Sequence, residues 1–471
     1  MPATWDALQP EIDHWIESHE LELVDLVQQL VRYPSVSAGL HVGAQYPFGP
    51  ACAQLADATR SIVEGYGLTW QNHDYYAVSA TYGAPVPAAG AATAGARPRI
   101  AFYSHLDVVP ARSTGWTHPP FEPHVEGGWI FGRGSTDNKG PFASVLFALR
   151  FLAEQGMQLR HDVSLFGGFD EEVGMDDAKW IAANLEPARY NLVSDCSFPV
   201  CVAEKGILEV WFSRRLDDPA LLRLSAGEVA NAIPDAALAE IAHRNADGDT
   251  SGEVERYETT GKAAHAAFPE GSVNALTALA AKLSRCASLR AETCEACAVL
   301  ADLFAQHDGS STGIGLHDDF LGDTTCVPTI ARYENGVLRI LANVRFPAIK
   351  PACWVRDTFA RSLQEAGFEI EDVEESPARP VHEDDALVVL LTNIVDNEVG
   401  RNLQPYAMGG ATHARWIPGA LGFGPGRQFD GAFPPGVGCG HEADEAVSIS
   451  YLEQAIRIYV RAILELDARK A

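Results

Sequence analysis

Near the start of the chain, Leu23, Val24, Val27, Leu30 and Val31 repeat at three- and four-residue spacing, and Pro34 ends the run. That period predicts a helix. An Ala/Gly/Pro tract, Gly83 to Pro98, precedes the apolar run Ile100 to Tyr103, which reads as a short buried strand. The loop THPPFEPHVEGGWIFGRGSTDNKG leads into an amphipathic helix over about Phe142 to Leu152. DVSLFGGFDEE reads as a strand ending at Glu171 and Glu172, Asp177 to Asn184 as a helix, and NLVSDCSFP as another strand. Strands alternating with helices predict βαβ units and a mostly parallel sheet flanked by helices.

The pattern changes after Pro199. AEKGILEVWFSRRL alternates as a strand does, and the pieces EVERYETTGKAAHA and VLRILANVRFP lie among helices such as Asn274 to Ser284. A last amphipathic helix covers Tyr451 to Leu466. We therefore expect a two-domain α/β protein. Residues 1–203 and 376–471 form one domain, and residues 204–375 form an inserted α+β domain.

The chain has 471 residues, more than one ordinary domain needs, and 47% are hydrophobic, enough for a large core. A surplus of 63 acidic over 35 basic residues gives a formal charge of −28, which disfavours nucleic acid and anionic membrane as partners. The N-terminal stretch carries acids where a secretion signal needs positive charge, and no apolar run approaches the roughly 20 residues of a membrane span. Nine scattered cysteines suggest reduced thiols in a cytoplasmic protein. The lone Cys294–Cys297 pair has no second pair nearby and reads as packing.

Candidate chemistry sits where strands end. His105 follows the first strand of the alternating region, with Asp107 two positions on. Asp137 lies in the loop before a helix, Glu171 and Glu172 end the next strand, and Asp195 lies in the one after that; His441 lies in the run GVGCGHEADE. In an open α/β sheet such positions converge on one edge. Singly, each is more often a surface hydrogen bond or a solvated helix start. As a set, histidines and carboxylates without cysteine are the donors of hydrolytic zinc sites, where a shared carboxylate holds two ions.

Five ordered motifs, SHLDVVP, GRGSTDNKGP, GFDEEVGMDD, VSDCSFP and GCGHEADE, resemble the metal-site motifs of the dinuclear-zinc amidohydrolases and peptidases. That family includes carboxypeptidase G, acetylornithine deacetylase and aminoacylase, and the resemblance runs from about residue 20 to 465. AEKG, GKAAHAAFPEGSVNA and MGGATHAR look most like the dipeptidase V/carnosinase-like subgroup. The resemblance implies that His105 and Asp195 hold one zinc, Glu172 and His441 the other, and Asp137 bridges both. It makes Asp107 the carboxylate that orients His105. Glu171 becomes the general base that takes a proton from the water between the ions, and His265, in the inserted lid, the donor to the oxyanion. Asn231, Arg345 and the Gly409–Gly410–Ala411–Thr412 loop match substrate-contacting positions. Arg345 suits a carboxylate but equally a structural salt bridge, and the glycines equally a plain turn. His413 departs from the subgroup, which often has a phenol there.

The expected activity is hydrolysis of dipeptides with a free N-terminus, because Asp195 is aspartate as in dipeptidase-like relatives. An N-acyl amino acid deacylase on the same scaffold is the alternative, and a silent binding paralogue is a third reading that Glu171 argues against. Two Zn2+ are the expected cofactors, with Mn2+ or Co2+ accepted by the same donors. A small peptide is the expected partner. The enlarged lid points to a monomer rather than a homodimer, with His265 acting in cis. His118, His124, His161, His317 and His382 match no motif and are expected to be surface or hydrogen-bonded loop residues.

Overall fold

A computed structural model describes residues 5–91, 96–111, 115–244, 250–379, 385–426 and 433–469; His382 lies outside them. The chain divides into two compact units, one of Met1–Val202, His382–Tyr406 and Ala411–Ala471, the other of Ala203–Val381 and Ala407–Gly410.

The first unit is built on a sheet with a parallel centre. Arg99–His105 pairs in parallel with Asp162–Gly168 on one side and Tyr190–Val193 on the other, and Leu421–Gly422 continues the parallel run. Ala77–Tyr82 and Thr69–His73 extend the sheet antiparallel beyond Asp162–Gly168. Every residue of Arg99–His105 and Asp162–Gly168 is buried, as expected of central strands covered on both faces.

The helix beginning at Pro34's upstream run is longer than its apolar repeat, covering Trp5–Val31. The helix expected to be amphipathic, Gly140–Glu154, is instead buried on all sides from Gly140 to Leu152. It packs on the central strands while the helices Trp5–Val31 and Ile449–Ala468 cover its other flank, so no face is left for solvent. Phe142, Phe147 and Phe151 fill this layer with Leu452, Ile456 and Tyr459. No helix among the described residues is long and apolar enough to cross a membrane.

The second unit carries a seven-stranded antiparallel sheet. Its order is Thr250–Thr260, Ala236–Arg244, Leu221–Ala226, Thr325–Glu334, Val337–Phe346, Gly206–Arg215 and Glu369–Ser376. The alternating residues Leu208, Val210 and Phe212 point into one core with the helices Ala275–Leu283, Ala291–Leu303 and Ala352–Glu365. This is the one-sided burial that antiparallel sheets allow. Asn274 caps its helix by accepting the amides of Leu276 and Thr277 at 3.0 and 3.3 Å. The Cys294–Cys297 pair sits on one of these helices, Cys297 buried in the core.

Candidate active site

Parallel strands end together, so the loops after them share one edge of the first unit. His105 is the last residue of its strand. Glu171 and Glu172 were expected to end a strand and Asp195 to lie within one, but the strands stop at Gly168 and Val193. The acids occupy the turns just beyond, where backbone released from the ladder can curl and aim side chains.

Asp137 is the centre of the arrangement. Its Oδ1 lies 2.9 Å from His105 Nε2, and its Oδ2 lies 3.3 Å from His441 Nε2. Each oxygen therefore faces a different histidine. His105 Nε2 is 3.7 Å from Asp195 Oδ2, while His441 Nε2 is 3.0 Å from Glu172 Oε2. Two donor trios result, His105–Asp137–Asp195 and Asp137–Glu172–His441, with donor atoms of each trio within 4.8 Å of one another. Both trios are imidazole and carboxylate only, they share one carboxylate, and Gly440 leaves room: a Cβ there would stand 2.9 Å from Asp137 Oδ2. This donor set fits two divalent cations bridged by Asp137.

The surroundings hold these groups in place. Asp107 is fully buried; its carboxylate lies 3.4 Å from His105 Nδ1 and accepts the backbone amides of Glu171 and Glu172 at 3.3 and 3.1 Å. The same Nδ1 lies 3.0 Å from the backbone carbonyl of Asp107. Asp107 thus ties the histidine strand to the acidic turn as well as bordering the imidazole. Asn138 donates its amide to Asp195 Oδ1 at 3.0 Å.

Burial and mutual charge displace the acidities of the cluster strongly. Burial opposes charge on His105, yet its hydrogen bonds with Asp107 and Asp137 hold its pKa well above the usual imidazole range. Burial likewise opposes charge on His441, but Asp137 and Glu172 lift it to about 12. Burial, reinforced by the charge of Asp137, raises Asp195 to about 7. Glu171 is raised well above the ordinary carboxylate range, first by burial and then by the charge of Asp195. A carboxyl with raised proton affinity beside a cation site suits a group that takes and returns a proton.

Three features escaped the sequence reading. Asn138 steadies Asp195. Glu445 is fully buried and ion-paired to Arg133 at 2.5 Å. His413 is buried, its Nε2 3.1 Å from Asp177 Oδ2, and its ring centroid is 6.4 Å from that of His105. Its departure from a phenol thus comes with a buried carboxylate partner. The only available signal was position: Asn138 adjoins Asp137, and Glu445 follows His441 by four residues. His118 and His124 stack with centroids 4.2 Å apart.

Other expected residues lie elsewhere. Thr412 is in the first unit, its hydroxyl accepting the Ala414 amide at 3.1 Å. Asn231, His265, Arg345, Gly409 and Gly410 belong to the second unit. There Asn231 and His265 are neighbours: the Ala266 amide donates to the Asn231 carbonyl at 2.8 Å, and the His265 Nδ1 accepts the Ala267 amide at 3.1 Å. Arg345 is buried, its Nε donating to Asn343 Oδ1 at 2.9 Å. At Gly409 a Cβ would lie 3.1 Å from that of Ala267, so close approach is one reason for glycine there.

A curated relative in Bacillus subtilis, named as the putative dipeptidase YtjP, is 26% identical, the alignment covering 94% of this chain and 97% of that protein. The fold matches human carnosine dipeptidase 1 with a TM-score of 0.59 at 13% identity, over 98% of this chain and 100% of the other. It matches the di-peptidase Dug1p of Saccharomyces cerevisiae with a TM-score of 0.58 at 11% identity, over 98% of each chain. The model of peptidase family M20/M25/M40 matches residues 101–465, and the chain belongs to that family.

Proposed function

We propose that this protein is a dinuclear zinc-dependent dipeptidase that hydrolyses dipeptides bearing a free N-terminus. The observation that carries the reading is the placement of Asp137, one oxygen toward His105 and the other toward His441. His105 and Asp195 are assigned to one ion, Glu172 and His441 to the other. When bound, the ions polarise the scissile carbonyl and lower the pKa of water toward neutrality. The full-length similarity to a relative named as a dipeptidase supports the substrate class.

The chain's own residues do the rest. Asp107 keeps His105 oriented and, through the amides of Glu171 and Glu172, keeps the acidic turn in register with it. Glu171 stays off both donor trios, which leaves its carboxylate to accept a proton from the attacking water and pass it to the leaving amine. His265 is assigned the hydrogen bond to the developing oxyanion, and Asn231, Arg345, Gly409, Gly410 and Thr412 contacts to the substrate. Nine free cysteines support a cytoplasmic setting. The enlarged second unit supports a monomer.

Comparing a free dipeptide with its N-acetylated form tests the substrate class. The proposal expects kcat/KM to fall at least a hundredfold on acetylation. Equal or greater activity on the acetylated form would make the protein a deacylase instead.

A further inference from the structure

The segment carrying His441 has an unusual backbone. His441 and Asp444 both adopt left-handed φ, at 70° and 55°, a region that non-glycine residues occupy only when their surroundings hold them there. Two carboxylates do the holding. Asp444 accepts the amide and hydroxyl of Thr117, both at 2.7 Å. Glu445, fully buried, accepts the backbone amides of Thr136 and Asp137 on Oε1, each at 3.1 Å, and the Arg133 guanidinium on Oε2 at 2.5 Å.

Main-chain bonds lock the same two segments. The Gly132 amide donates to the Glu445 carbonyl at 2.8 Å, and the Thr136 hydroxyl donates to the Ala446 carbonyl at 3.0 Å. Ala446–Ser448 pairs antiparallel with Trp129–Phe131. The side-chain clamp differs from these in one respect: it ends on the amide of Asp137 itself, the residue shared by both donor trios.

We propose that Glu445 is a positioning residue, its carboxylate setting the distance between Asp137 and His441 and so the affinity of the cation position formed by Asp137, Glu172 and His441. This rests on the dinuclear reading above. His105 ends the strand Arg99–His105 beside Asp107, and Asp195 lies in the turn after Tyr190–Val193, whereas Glu445 lies four residues from His441 on the same segment. Loosening the clamp therefore weakens the His441 position more than the His105 position. Arg133 supplies the clamp with a buried opposite charge beside Glu445.

The test is Co2+ titration of the metal-stripped full chain against a chromophoric chelator, with the visible spectrum of each equivalent recorded. Glu445→Asp keeps the charge beside Arg133 but draws the acceptor back by one C–C bond, about 1.5 Å. Wild-type protein should bind two equivalents. In Glu445→Asp the tighter should stay within threefold and the weaker should lose at least tenfold. The pair Arg133→Met/Glu445→Gln removes both charges yet keeps a carbonyl oxygen for the two amides, and should return the weaker equivalent to within threefold of wild type. A purely structural role would weaken both equivalents alike, or leave both unchanged; either result overturns the proposal. Failure of the neutral pair to restore binding overturns it too. If wild type binds two ions but cleaves no dipeptide, the functional reading fails while this one stands.

Discussion

Replacing Glu171 by glutamine keeps the size and shape of the side chain and removes its ability to hold a proton. Glu171 belongs to neither donor trio, so cation content should not change. Its buried carboxyl is pushed to a raised pKa by the desolvation of its site and by the nearby charge of Asp195, and neutral glutamine relieves that repulsion. Stability should therefore hold or rise. The catalytic loss follows from the proton-transfer role: general acid–base catalysis contributes roughly 10²- to 10⁴-fold, about 3–5 kcal/mol of transition-state stabilisation. KM should move little, because the group acts on the transition state. The assay is kcat and KM on a small dipeptide, with cation content of the same sample measured by elemental analysis. A variant that keeps its cations and retains kcat within tenfold of wild type would refute the assignment of Glu171.

Other predictions reach further from the site. His73 is buried, its Nε2 2.8 Å from the Ser79 hydroxyl, and burial lowers its pKa to about 4. A base with a depressed folded pKa contributes stability that is present above its unfolded value and lost as pH falls, here between about 6.5 and 4. Urea unfolding should show wild type losing about 2 kcal/mol more than His73→Gln between pH 7 and pH 5; parallel losses would contradict it. Gly168→Ala would drive a Cβ into the Asp177 carboxylate and to 2.8 Å from His413 Cε1, so stability should fall by about 1–3 kcal/mol, and an unchanged melting temperature would count against the packing described. Assigning His265 to its own chain predicts that mixing His265→Ala with Glu171→Ala recovers no activity; recovery would mean exchange between subunits.

How much of this could be read from the sequence depended on whether the signal was local. The alternation of strand and helix announced the parallel sheet, because strands buried on both faces must be apolar throughout, as Ile100 to Tyr103 are. The donor residues stood out because imidazole and carboxylate at strand ends have few other uses in such number. Helix Gly140–Glu154 is expected to be amphipathic, yet it is buried from Gly140 to Leu152, its polar residues included. In the fold Ser144 bonds to the Gly140 carbonyl at 3.2 Å, and Arg150 reaches out to Glu22 and Glu154 at 2.7 Å each. Long side chains can leave a buried backbone in this way. The clamp by Glu445 was invisible because its partners lie more than 300 positions away in the chain, and only folding brings them together. The same holds for His413 and Asp177, separated by 236 positions.

If two cations shared by Asp137 drive dipeptide hydrolysis, chelation followed by stepwise metal restoration exposes the requirement. Purified protein is stripped of metal, Zn2+ is returned in measured fractions, and hydrolysis of a dipeptide panel is followed at each step. Activity should vanish on stripping and return fully only as bound zinc reaches two per chain, while Asp137→Asn recovers none. Full activity in stripped protein, or saturation of both activity and binding at one ion, would contradict it.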